Sequence, residues 1–138
     1  MDFKSLRMGN TTSNEELSVV AEFIKATNAG DLATLAALFA DDAQVNDQLR
    51  NFWGRAEIAS WLEREIVGEK VELDASDIKR HYDMVIVNAE MRGDFEMPRV
   101  SRPMVFDLYF AVREAKIVRL LVLLVRADTT EPDIRRAT

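Results

Sequence analysis

The 138-residue sequence predicts an α+β fold in which three N-terminal helices pack on a curved, mostly antiparallel sheet. Apolar residues recur at three-and-four spacing only as far as Val67, and from Val71 onward the period becomes two. Helices gathered first and strands afterwards give segregated layers, not the alternation that builds a parallel sheet. A chain of this length is one domain's worth and hides roughly 68 to 70% of its unfolded surface, enough for a core and a pocket. The expected division is a flexible arm over 1–12, one domain over 13–126 and a polar tail over 127–138.

Ser13 with Glu16 three residues later reads as a capping box that opens helix one at Asn14. Leu17, Val20, Ala21, Ile24 and Asn28 follow one helical face, and Gly30 supplies a left-handed stop. Asp31 caps a second helix whose buried stripe is Leu32, Leu35, Ala36 and Phe39. A strand follows at Ala43 and then a loop, QLRNFWG. Arg55 to Val67 forms helix three, with Ile58, Ala59, Leu62 and Ile66 on its inner arc, Trp61 at the edge and Gly68 at its end. Val71 to Arg80 and Met84 to Asp94 make a hairpin turning at His81-Tyr82-Asp83. FEMPRVSRP, with two prolines, is a loop, and Met104 to Val112 and Lys116 to Val125 make a second hairpin across Arg113-Glu114-Ala115.

Composition excludes several functions. The net charge of −6 comes without a basic run, which argues against nucleic acid or an anionic membrane as partner. With no cysteine and a single histidine, His81, ligands for zinc or iron-sulfur centres are lacking; no metal and no cofactor is expected. The N-terminal stretch has no apolar signal region, and Leu120 to Val125 is too short to span a bilayer, so a cytoplasmic location is expected.

Asp47 is the residue that breaks the pattern. Counting by twos places Ala43, Val45 and Asp47 on one strand face, so an acid ends an apolar row that points at the helices. A curved sheet closed by helices on one side leaves a hollow where small ligands sit. GDLATLAALFADDAQVND, FWGRAEIASWL and the closing KIVRLLVLL resemble the nuclear transport factor 2-like superfamily, particularly its SnoaL-like branch, which is related to ketosteroid isomerases and limonene-type epoxide hydrolases. The resemblance spans about Glu16 to Val125 and implies a cone-shaped α+β fold.

In the functional reading, Asp47 faces the cone, where apolar walls penalise its charged form and suit it to proton abstraction beside a carbonyl. The resemblance agrees on the place, since AQVND is similar to the stretch of ketosteroid isomerases that ends in the catalytic base. The structural alternative is that Asp47 binds the following turn or pairs with Arg50 or Arg55. Where the isomerases carry a tyrosine and a protonated acid, this chain has Phe23 and about Leu108, neither of which donates a hydrogen bond. Steroid isomerisation is therefore not expected unless Trp53, Trp61 or a tyrosine supplies the donor. Arg92-Gly93-Asp94 is similar to part of the acid-arginine-acid set of limonene-type epoxide hydrolases, but Val85, Val87, Ala89 and Met91 form the apolar face and leave Glu90, Arg92 and Asp94 on the other. A solvated salt-bridge ladder is favoured there, and His81 is expected exposed at a hairpin tip.

Phe23, Trp53, Trp61, Met91, Phe106, Leu108, Phe110, Leu120 and Val122 are the candidate ligand-binding residues, converging on an apolar chamber for a small hydrophobic molecule. With Val118, Leu120, Val122 and Leu124 inward, Leu121, Leu123 and Val125 face out together with Tyr109, and a homodimer through this convex sheet face is expected. Three functions stay open: an isomerase- or cyclase-like enzyme using Asp47 as base, a non-catalytic binder of a cyclic hydrophobic ligand, and a dimerisation or adaptor module. A void of roughly 300 Å³ or more with Asp47 exposed to it would favour the first.

Overall fold

The structure, a computed structural model, describes residues 8–94 and 104–127, with side chains over 14–94 and 104–125. Helix α1 (Met8–Ala29) is followed by α2 (Leu32–Ala37), β1 (Phe39–Asp47), β2 (Arg50–Trp53) and α3 (Gly54–Trp61). A π-helical turn (Leu62–Val67) continues α3, and β3 (Glu72–His81), β4 (Met84–Arg92), β5 (Met104–Arg113) and β6 (Lys116–Ala127) complete the fold. The strands form one six-stranded sheet in the order β2-β1-β6-β5-β4-β3. Only β1 against β6 is parallel. The α+β cone expected from the sequence is the observed architecture.

Helix α1 begins at least five residues before Ser13, so the Ser13–Glu16 pair is not its start and residues 8–12 are helix, not arm. Glu16 is instead buried and bonded to Arg80 of β3, tying the helix to the sheet edge. The inner face of α1 is also rotated from the expected one: Val19, Val20, Phe23, Ala26 and Thr27 are buried, while Leu17 and Ala21 are exposed. Phe23 decides that phase, because its ring packs edge-on to Phe39 and Phe110 at 6.2 and 5.2 Å. Gly30 sits at φ 67°, the left-handed stop expected of it. Phe39, expected on α2, opens β1 and is fully buried there, followed by a register shift against β6.

QLRNFWG is not a loop. Gln48 and Leu49 both have positive φ, as a type I′ turn requires, and the chain returns as β2. That turn lacks the asparagine and glycine that mark such hairpins in a sequence. The β4 face of Val85, Val87, Ala89 and Met91 is buried as read. In β6, Ile117 takes the inward place expected for Val118, because the pairing with β5 shifts between Ala111 and Val112. The prolines of FEMPRVSRP and the tail over 128–138 lie outside the described residues, as do residues 1–7 of the expected arm. Among the described residues, no helix is long and apolar enough to cross a membrane.

Candidate functional site

Asp47 closes the inner row of β1. Ala43 and Val45 are fully buried, and Asp47 follows at 8% exposure, so the alternation that singled it out places it correctly. Its Oδ2 accepts from the Trp61 indole Nε1 at 3.0 Å and from Arg50 Nη2 at 3.0 Å. Its Oδ1 has only a 3.5 Å contact with the Gln48 amide, a long and weak bond. The carboxylate is thus oriented through one oxygen and loosely engaged at the other.

The partners come from two local devices. The I′ turn swings Arg50 back beside Asp47, where its guanidinium also takes Glu65 in a bidentate pair at 2.9 and 2.7 Å. The π turn carries Glu65 and Ile66 to the same place from α3. Arg50 further lies over the Phe52 ring at 5.5 Å, and Phe52 stacks on Trp61. The hydrogen bond from Arg50 holds the Glu65 carboxyl below the usual carboxylate range, against the opposing effect of its partial burial. Glu65 in turn raises the Arg50 guanidinium through that bond, and both stay charged at neutral pH. Arg55, the other sequence candidate, pairs with Asp41 instead.

A cavity of about 200 Å³ opens beside this cluster between α1, the π turn and the sheet. It is smaller than the roughly 300 Å³ at the lower end of drug-sized sites, so it admits a compact ligand. Six of the nine expected residues line it: Phe23, Trp61, Met91, Phe106, Leu108 and Val122. Three do not. Trp53 is 58% exposed on the edge strand β2, while Phe110 and Leu120 are fully buried core residues outside the cavity wall. Trp61, expected at the edge of its helix, is 1% exposed because its indole reaches Asp47.

Sequence reasoning missed Thr27, Gln48, Arg50, Glu65, Ile66, Glu69, Val71 and Leu73 as lining residues. Val71 and Leu73 were legible as an inward pair on β3, and Thr27 lies four residues after Phe23, one helical turn on the same face. The polar members depend on the turn after β1 and on the π turn, which nothing in the residue types announces. Asn28 fixes the wall, since its side chain both donates to Leu73 O at 3.0 Å and accepts from Leu73 N at 2.7 Å.

The Arg92 cluster is away from the cavity. Arg92 lies 3.6 Å from Glu72 and 3.7 Å from Glu90, and Asp94 lies 3.9 Å from Lys70, all exposed or half-exposed, as a solvated ladder requires. His81 is exposed at its hairpin tip against Tyr82. On the convex face Tyr109, Leu121 and Leu123 are half-buried and Val125 is 49% exposed.

A family model for the SnoaL-like domain matches residues 20–120. The chain belongs to the SnoaL-like family. Solved structures share this SnoaL-like domain's fold. A protein of Sinorhizobium meliloti assigned as a polyketide cyclase is 23% identical, with a TM-score of 0.68, covering 76% of this chain and 93% of its own. A protein of Kribbella flavida assigned as a ketosteroid isomerase is 12% identical, with a TM-score of 0.69, covering 91% and 88%. An LEH-like epoxide hydrolase of Mycobacterium tuberculosis is 17% identical, with a TM-score of 0.67, covering 80% and 83%. At these identities the likeness establishes the fold, on which isomerases, cyclases and hydrolases are all built. No curated protein matches the sequence.

Proposed function

We propose that this SnoaL-like domain binds a compact, largely apolar cyclic carbonyl compound in the cone and moves a proton on it with Asp47 as general base, without a cofactor. The observation that carries the reading is a carboxylate in the wall of an otherwise mostly apolar cavity, held through Oδ2 and loosely engaged at Oδ1. Oδ1 takes the proton from a carbon next to the carbonyl, the electron pair shifts into the enolate, and the same proton returns at a conjugated carbon. The reaction is then an isomerisation that leaves Asp47 as it began. The names of the structural neighbours support this class of chemistry. The cavity's size favours one or two rings over a steroid. We also propose that two copies pair through the convex face of Tyr109, Leu121, Leu123 and Val125.

The test is conversion of 3-cyclohexenone to 2-cyclohexenone, followed by the absorbance of the conjugated enone. Wild-type protein should exceed buffer, and Asp47→Asn should lower kcat/KM by about 10²- to 10⁴-fold while the fold, read by circular dichroism, is kept. The second reading, a non-catalytic binder, is favoured by the occupation of both the Trp61 N–H and Arg50 on Asp47 and by the lack of donors at Phe23 and Leu108. It expects saturable binding of the ketone with no turnover by either form.

A further inference from the structure

Three polar or charged side chains are buried among the described residues: Glu16, Thr27 and Asp47. Glu16 has Arg80, and Asp47 has Trp61 and Arg50. Thr27 is 2% exposed, and its Oγ1 has no hydrogen-bond partner among the described residues. A helical threonine ordinarily bonds the carbonyl one turn back, and this one does not. A buried hydroxyl without a partner destabilises the chain that carries it, and a valine would occupy the same space without that cost.

The residue's position in the wall gives the hydroxyl a use. Thr27 lines the cavity, and its side chain exchanges hydroxyl and methyl by one step of χ1 between staggered wells. Phe23, Leu73, Met91 and Phe106 around the same cavity offer no hydrogen-bond donor from their side chains. The other polar lining residues, Asp47, Gln48, Arg50, Glu65 and Glu69, include three acids against one base, a balance that disfavours an anionic ligand.

We propose that Thr27 is the oxygen-binding residue of the cavity: its hydroxyl donates to the carbonyl oxygen of a neutral cyclic ketone whose ring packs on Phe23 and Met91. This rests on the reading of the cavity as a ligand site, and it names the ligand class by the unpartnered donor in the wall, since the Trp61 N–H is already given to Asp47. The asymmetry is specific: a ketone satisfies Thr27, whereas the parent hydrocarbon leaves it unsatisfied.

The experiment compares 1-indanone with indane, by calorimetric titration of wild type, Thr27→Val and Thr27→Ser, together with thermal unfolding of each ligand-free form. Wild type should bind indanone more tightly than indane. Thr27→Val should bind indanone about fivefold more weakly, the effect of one neutral hydrogen bond, and indane at least as tightly as wild type does. Thr27→Ser should keep the preference for the ketone, and ligand-free Thr27→Val should melt no lower than wild type. A Val variant that melts lower or does not fold would show that the hydroxyl has a protein partner and would overturn the assignment. So would equal changes for the two probes, or no change, with the cavity reading left standing. Failure of both probes to bind wild type would remove the cavity reading and this inference with it.

Discussion

Asp47 is held as part of a four-residue cluster, with Trp61, Arg50 and Glu65 fixing each other around it. Glu65 is the member whose ionisation is set by the fold. Its folded value lies below the ordinary value of a glutamate because Arg50 bonds the ionised form, so the stability it contributes is present above the unfolded value and is lost as pH falls through the lower folded one. Glu65→Gln removes that contribution. Urea unfolding across pH 3 to 7 should show wild type above the Gln variant at neutral pH, with the gap closing as the solution becomes more acid than about 4.5. A gap that stays constant would mean that the Arg50 pair carries no linked proton. The Arg50 side chain is half exposed and that of Glu65 partly so, so the gap is expected to be small and to shrink further with added salt.

At the scale of elements, two irregular pieces build the mouth of the cavity. The I′ turn at Gln48-Leu49 reverses the chain with residues whose positive φ costs energy, and Leu49 is 85% exposed, so no packing of that side chain compensates. The π turn after α3 is closed by Gly68, whose N–H bonds Glu63 O at 2.9 Å. A Cβ added at Gly68 would lie 2.6 Å from Arg64 O and 2.7 Å from Glu63 O, backbone atoms that cannot step aside. Gly68→Ala should therefore destabilise the domain by about 1 to 3 kcal/mol, the usual cost of overpacking. Because Glu65 and Ile66 ride on that turn, the same variant should also weaken ketone binding. Unchanged unfolding in urea would mean that the turn relaxes to an ordinary helix end at no cost.

For the whole molecule, the sheet has two faces of different surroundings. The concave face meets the helices and encloses the cavity. On the convex face Leu121 pairs with Tyr109 and Asn46, and Leu123 with Asp107, so an apolar centre is edged by polar partners. Asn88 bonds Asp107 at 2.9 Å, and Gln44 and Asn46 both bond Asn51, which keeps that rim polar and ordered. Apolar centre and polar rim are the anatomy of a protein interface. Sedimentation at tens of micromolar should give wild type a mass twice the 15.7 kDa of the chain, and Leu121→Glu should return it to that of one chain with the concave cavity intact. A wild type that sediments as one chain would remove the proposed pairing.

By itself the sequence determined the layers, the inward row of β1 ending in Asp47, the buried row of β4 and six lining residues, because helical and strand periodicity are local and one acid in an apolar row is visible without any partner. Its reading of α1 failed on Leu17 and Ala21, since both candidate faces are apolar there and only the packing of Phe23 on Phe39 and Phe110 chooses between them. That same choice brought Thr27 into the wall. The tertiary structure alone decided what surrounds Asp47: Trp61 arrives from 14 residues away, and Glu65 reaches Arg50 from 15 residues along the chain. No periodicity encodes such meetings, which depend on a tight turn with uncharacteristic residues and on a helix that widens in its last turn.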